Sequence, residues 1–121
     1  MFSRGMLPLV LFAAALSIGC VTGGEDPSEI RIRNVSGFDY DGLQVGEETY
    51  GRLPAGAETR YREFGTAYRY NYVRLEVEGD EMILQPTDYV GETPLGPGRF
   101  TYEVRVVDRA AGQLAIQAVE D

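Results

Sequence analysis

The sequence predicts an all-β domain, a single antiparallel β-sandwich of about seven or eight strands behind an N-terminal signal helix. Three observations predict it. From Ile30 onward apolar residues recur at every second position, the period of a strand half-buried in a sheet. Gly, Pro, Asp and Asn interrupt that alternation at short intervals, which is turn chemistry. After Cys20 no stretch repeats at the helical period, and no internal repeat is evident. An immunoglobulin-like or transthyretin-like sandwich fits this pattern, with a small closed barrel as the runner-up.

In the first strand Ile30 and Ile32, extended by Asn34, alternate with Arg31, Arg33 and Val35, and the strand ends near Ser36-Gly37. The second spans Gly42 to Val45 and the third Glu48 to Leu53. Pro54-Ala55-Gly56 reads as a turn, followed by a fourth strand from Ala57 to Phe64. A central hairpin starts with Tyr68 to Glu78, where Val73, Leu75 and Val77 share one face and Arg74, Glu76 and Glu78 the other. Gly79-Asp80 turns the chain and Glu81 to Pro86 returns. In the last hairpin Phe100, Tyr102, Val104 and Val106 alternate with Arg99, Thr101, Glu103 and Arg105. Ala111-Gly112 lies in its turn, and Leu114, Ile116 and Ala118 line the returning strand. Each strand is apolar on one side and charged on the other, as in sheets solvated on one face.

The leader reads MFSRGMLPLVLFAAALSIG over residues 1–19. Arg4 is its positive charge, and Leu7 to Ile18 is an apolar run broken only by Pro8 and Ser17. That run is shorter than the roughly 20 residues a membrane helix needs, and it suits a signal-peptide core. Its end resembles the lipobox of bacterial lipoproteins, with Gly19 directly before Cys20. The departure from that pattern is Ser17, which stands where the family prefers Leu, with Leu16 one place further out. An ordinary secretory signal with a bystander cysteine, or a retained helix, are the competing readings. The resemblance implies cleavage before Cys20 and acylation of its thiol by chains such as palmitate. One acyl chain gives only marginal membrane binding, whereas several anchor stably.

The predicted organisation is therefore a signal peptide at 1–19, an acylated Cys20 with a flexible acidic tether to residue 29, and a domain at 30–121. Val21 follows Cys20 where Asp would favour inner-membrane retention. By the same resemblance the expected location is the outer membrane, facing the periplasm or the cell surface.

Composition narrows the function classes. The chain has 121 residues, of which 44% are hydrophobic and 25% charged, so it can build a core for one small domain. Formal net charge is −8, and all 11 basic residues are Arg. Losing residues 1–19 removes Arg4 and takes the charge from −8 to −9. Such a surface cannot neutralise many phosphates, so no nucleic-acid partner is expected. The single cysteine forms no intramolecular disulfide, and with 0 histidines there is no His-based triad or His-ligated metal. Ser28 and Ser36 lie outside any G-x-S-x-G setting, and no glycine-rich phosphate loop occurs. The expectation is a protein that is not an enzyme, with no catalytic residues and no cofactor.

Two patterns stand out in the domain. Asp39-Tyr40-Asp41-Gly42 offers oxygen ligands that Asp80, Glu81 or Asp88 would have to complete for calcium, yet Asp and Gly in a β-turn account for the same residues. In Ala67-Tyr68-Arg69-Tyr70-Asn71-Tyr72, strand spacing puts Tyr68, Tyr70 and Tyr72 on one outer face with Arg74. Such a row can stack sugars or anchor a protein partner. Cross-strand pairing of aromatics and arginines is the structural reading, and a bulge near Asn71 would turn some rings inward.

The segments IRIRNVSGFDYDGL (30–43), LPAGAETRYREF (53–64), AYRYNYV (67–73) and LQPTDYVGETPLGPGRFTYE (84–103) resemble small uncharacterised envelope lipoproteins of Gram-negative bacteria. That resemblance implies one β-sandwich behind a lipid anchor and no particular substrate. The expected function is a membrane-anchored envelope lipoprotein whose non-catalytic domain serves protein–protein interaction or structural support. The alternative is a lipoprotein that binds glycan or peptidoglycan fragments through the tyrosine row.

Overall fold

A computed structural model of the chain describes residues 27–87 and 93–121, and its regular structure is all β. The segment expected to be a signal peptide, Cys20 and most of the expected tether lie outside the described residues. Eight strands occur among the described residues: β1 (Ser28–Asn34), β2 (Tyr40–Val45), β3 (Glu48–Leu53), β4 (Arg62–Phe64), β5 (Val73–Val77), β6 (Asp80–Leu84), β7 (Gly98–Asp108) and β8 (Gln113–Glu120). They form two four-stranded sheets, ordered β4-β1-β7-β8 and β3-β2-β5-β6. Among the described residues no ladder runs from one sheet into the other, so their hydrogen bonding is not that of a closed barrel.

Strand alternation builds the core directly. On β1, Ser28, Ile30, Ile32 and Asn34 face inward while Glu29, Arg31 and Arg33 face out. Val73, Leu75 and Val77 of β5 and Phe100, Tyr102 and Val104 of β7 are buried in the same way. These side chains form one cluster fed by both sheets, in which each buried Ile or Leu contributes roughly 1.5–3 kcal/mol. Tyr40 pins the sheets together, because its buried hydroxyl donates to the carbonyl of Val104 at 2.8 Å. Phe64 and Tyr102 meet edge to face, with ring centres 6.2 Å apart.

Three expectations from the sequence need correction. Not every pair is antiparallel: β1 runs parallel to β7, from Ser28 beside Gly98 to Asn34 beside Val104. The strand expected from Ala57 to Phe64 is regular only at its end. Its first part runs as a strap along β1, touching it through a bridge between Glu58 and Arg33. Thr59 N donates to Ile32 O at 2.9 Å and Thr59 Oγ1 accepts from Ile32 N at 3.0 Å. Proline and glycine in the preceding turn displace the ladder without abolishing the contact. The third correction concerns the hairpin expected from Tyr68, whose strand starts only at Val73.

Candidate functional site

The two flanks, where the edges of the sheets face each other, are built differently. At the first flank β4 approaches β3. Arg62 of β4 reaches across to donate to Glu48 Oε1 and to the Thr49 carbonyl, both at 3.0 Å. Its guanidinium also lies 4.1 Å from the ring centre of Tyr50. Behind this clamp Leu53 and Phe64 are buried, so the core is sealed. The Ala57–Tyr61 strap adds to the seal, with Glu58 accepting from Arg31 at 3.0 Å and from Arg33 at 2.9 Å.

At the second flank β6 approaches β8. Here a groove of about 420 Å³ runs between the edges. It is lined by Tyr70 from the connection before β5, by Leu84, Pro86 and Thr87 at the end of β6, and by Leu114, Ala115 and Ile116 of β8. Register fixes which way β8 side chains point. Leu114, Ile116 and Ala118 lie opposite the inward residues Val106, Val104 and Tyr102. Leu114 is buried, but Ile116 and Ala118 stay half-buried at the open edge. Ala115 points to the other face, so its place in the lining means that the groove follows the β8 edge itself. None of the described residues lining it is charged. The described lining suits apolar and aromatic contact.

The expected row of Tyr68, Tyr70, Tyr72 and Arg74 is dispersed across this region. Tyr70 lines the groove. Tyr68 gives its carbonyl to the Tyr102 hydroxyl at 2.7 Å, and Tyr72 gives its carbonyl to Gly46 N at 2.9 Å. All three tyrosines are half-buried, off the regular strands. Arg74 lies on the outer face of β5, bonded to Glu81 at 2.9 Å and to Glu76 at 2.8 Å. The bond to Glu81 and then that to Glu76 raise its pKa above the ordinary arginine value. These two carboxylates hold Arg74 within the sheet surface. Leu84, Pro86, Leu114 and Ile116 carry the groove, although in the sequence they read only as core and turn residues.

The carboxylates considered for calcium also separate. Asp39 and Asp41 both pair with Arg52, at 2.7 and 2.9 Å, so a guanidinium bridges them. Asp39 Oδ1 also accepts from Ala55 N at 3.0 Å. Asp80 pairs with Arg109 and Glu81 with Arg74, while Asp88 lies outside the described residues. Among the described residues no three Cys, Asp or Glu side chains converge to hold a metal. Likewise, no helix among them is long and apolar enough to cross a membrane.

No protein-family model, no curated protein and no solved structure matches the chain.

Proposed function

We propose that this chain is a lipoprotein of the bacterial envelope, anchored through acylated Cys20, whose domain works by protein contact and without catalysis. On this reading the two sheets form a β-sandwich of immunoglobulin-like or transthyretin-like type. The observation that carries the contact reading is the asymmetry of the flanks. One is closed by Arg62 and a strap, while the other leaves Ile116 half-buried at a groove whose described lining carries no charge. Apolar side chains left at a long groove lower the free energy by meeting a partner's surface. The leader and Gly19-Cys20 support the anchor, and the outer membrane is the proposed location.

A photo-crosslinking residue at Ala115 in intact envelopes tests the contact. Trapping one defined protein there, and none from a control position at Thr49 on β3, is the expected result. Equal yields of abundant bystanders from both positions would refute it. Labelling with an alkyne fatty acid tests the anchor, and the label should vanish in Cys20→Ser. Tyr70 in the groove is the one feature that favours a glycan ligand. Glycan-array binding that is lost in Tyr70→Ala would replace the protein-contact reading with that one.

A further inference from the structure

We infer that the β6/β8 flank is the interface between two copies of this chain, joined by antiparallel pairing of β8 with its counterpart. The inference rests on the reading of this flank as a contact surface and names the partner.

Edge strands present unpaired backbone groups, and most proteins block them with charge, bulges or short length. Three of the four edges here are blocked. β4 has only three residues and is clamped by Arg62. β3 has irregular register against β2 and carries Glu48 and Arg52. β6 has five residues and begins Asp80-Glu81. β8 is longer and less charged: it has eight residues, and none from Gln113 to Val119 is charged or proline. Its ladder to β7 is regular from Glu120 to Leu114, with the irregularity confined to the turn.

The sequence of β8 is compatible with itself about a twofold axis at Gln117. Ala115 of each copy then meets Val119 of the other, Ile116 meets Ala118, and Gln117 meets itself. No like charges face each other from Gln113 to Val119, although each copy carries a net charge of −8. Pairing also covers the half-buried inner residue Ile116 and the groove it lines with Leu84 and Tyr70. A different partner strand would need neither the uncharged rungs from Ala115 to Val119 nor an alanine on each side of Gln117. The two copies run in opposite directions, so both tethers reach one membrane when the strands lie along its surface.

Repulsion between two acidic copies opposes association at long range and is screened by salt, so affinity should rise with NaCl concentration. Sedimentation of the full-length chain in detergent should give a twofold mass that becomes more populated in high salt. Gln117→Lys sets two ammonium groups face to face and should weaken the dimer by at least about tenfold while leaving the thermal transition in place. Gln117→Cys under mild oxidation should give a covalent dimer, unlike the parent chain or Thr49→Cys. A parent that stays monomeric in every salt condition, or a dimer indifferent to Gln117→Lys, overturns the inference. If the envelope crosslink from Ala115 then captures a different protein, the contact reading survives without it. If that crosslink captures nothing specific, both fall.

Discussion

Asn34 Nδ2 donates to the carbonyl of Leu53 at 3.0 Å from a side chain with no solvent exposure. The same nitrogen donates to Phe38 O at 2.7 Å, while Oδ1 accepts from Ser36 N at 2.9 Å and from Ser36 Oγ at 2.7 Å. One amide thus ties together the end of β1, the loop after it and the end of β3. Asn34→Leu fills similar space but removes the side-chain partner of the Leu53 carbonyl and of Ser36 N, while Phe38 O keeps the Ser36 hydroxyl as a donor at 3.2 Å. Each stranded group costs ~1–3 kcal/mol, and partial relaxation should leave a net loss of about 3 kcal/mol. Urea unfolding should show it as a lower midpoint at unchanged slope. A loss below about 1 kcal/mol would mean that water reaches these groups after all.

The Arg62 clamp is exposed, so its ion pair with Glu48 is worth at most ~1 kcal/mol and is weakened by salt. Its stacking on Tyr50 and its bond to the Thr49 carbonyl depend on shape more than on charge. Arg62→Ala should therefore cost about 1–2 kcal/mol at low ionic strength, and more than half of that should remain in 1 M NaCl. Arg62→Lys should recover less than half, since an ammonium neither stacks flat nor forks. Full recovery by Lys, or complete loss of the effect in salt, would show that the clamp is only a charge pair.

These two residues show where the sequence was informative and where it was silent. Period-two alternation located β3 at Glu48–Leu53 to the residue and found both strands of the last hairpin, because burial on one face is a local pattern. The parallel neighbours β1 and β7 are about 70 residues apart, and no local pattern records that pairing. Tyr68, Tyr70 and Tyr72 mimic a strand by their spacing. In the folded chain Asn71 Oδ1 instead accepts from Tyr72 N at 2.8 Å, a local bond that competes with a ladder. The groove was hidden for a similar reason. Leu114 and Ile116 show that they face a core, but not that their strand is its open edge.

Tyr50 lies beneath Arg62, and its hydroxyl is buried with no hydrogen-bond partner among the described residues. Burial pushes its pKa up to about 12 from the ordinary value of 10.0. A raised tyrosine pKa favours the protonated folded state, so this contribution is complete below pH 10 and is lost as pH climbs toward 12. Tyr50→Phe removes the orphan hydroxyl and keeps the ring under Arg62. It should be neutral to about 1 kcal/mol stabilising at pH 7, with an advantage over the parent that widens between pH 10 and 12. Thermal unfolding of both proteins across that range checks this. A constant difference would mean that Tyr50 ionises as freely in the folded chain as in the unfolded one.

Gly42 and Arg74 give the last test, since steric and backbone costs separate there. Gly42 has φ of 58°, a left-handed conformation that an L side chain adopts at ~1 kcal/mol of strain. A Cβ at that position would stand 2.8 Å from Arg74 Nη1, which itself donates to the Gly42 carbonyl at 3.3 Å. Gly42→Ala should thus incur two costs, strain at its own backbone and displacement of a guanidinium bonded to Glu76 and Glu81. Removing the obstacle in Arg74→Ala should leave only the first. The double variant should therefore be more stable than the sum of the single losses predicts, by about 0.5–1 kcal/mol. Chemical unfolding of the four proteins measures that coupling. Strict additivity would show that Arg74 swings aside without cost, and that its two carboxylate bonds add nothing to this face of the sheet.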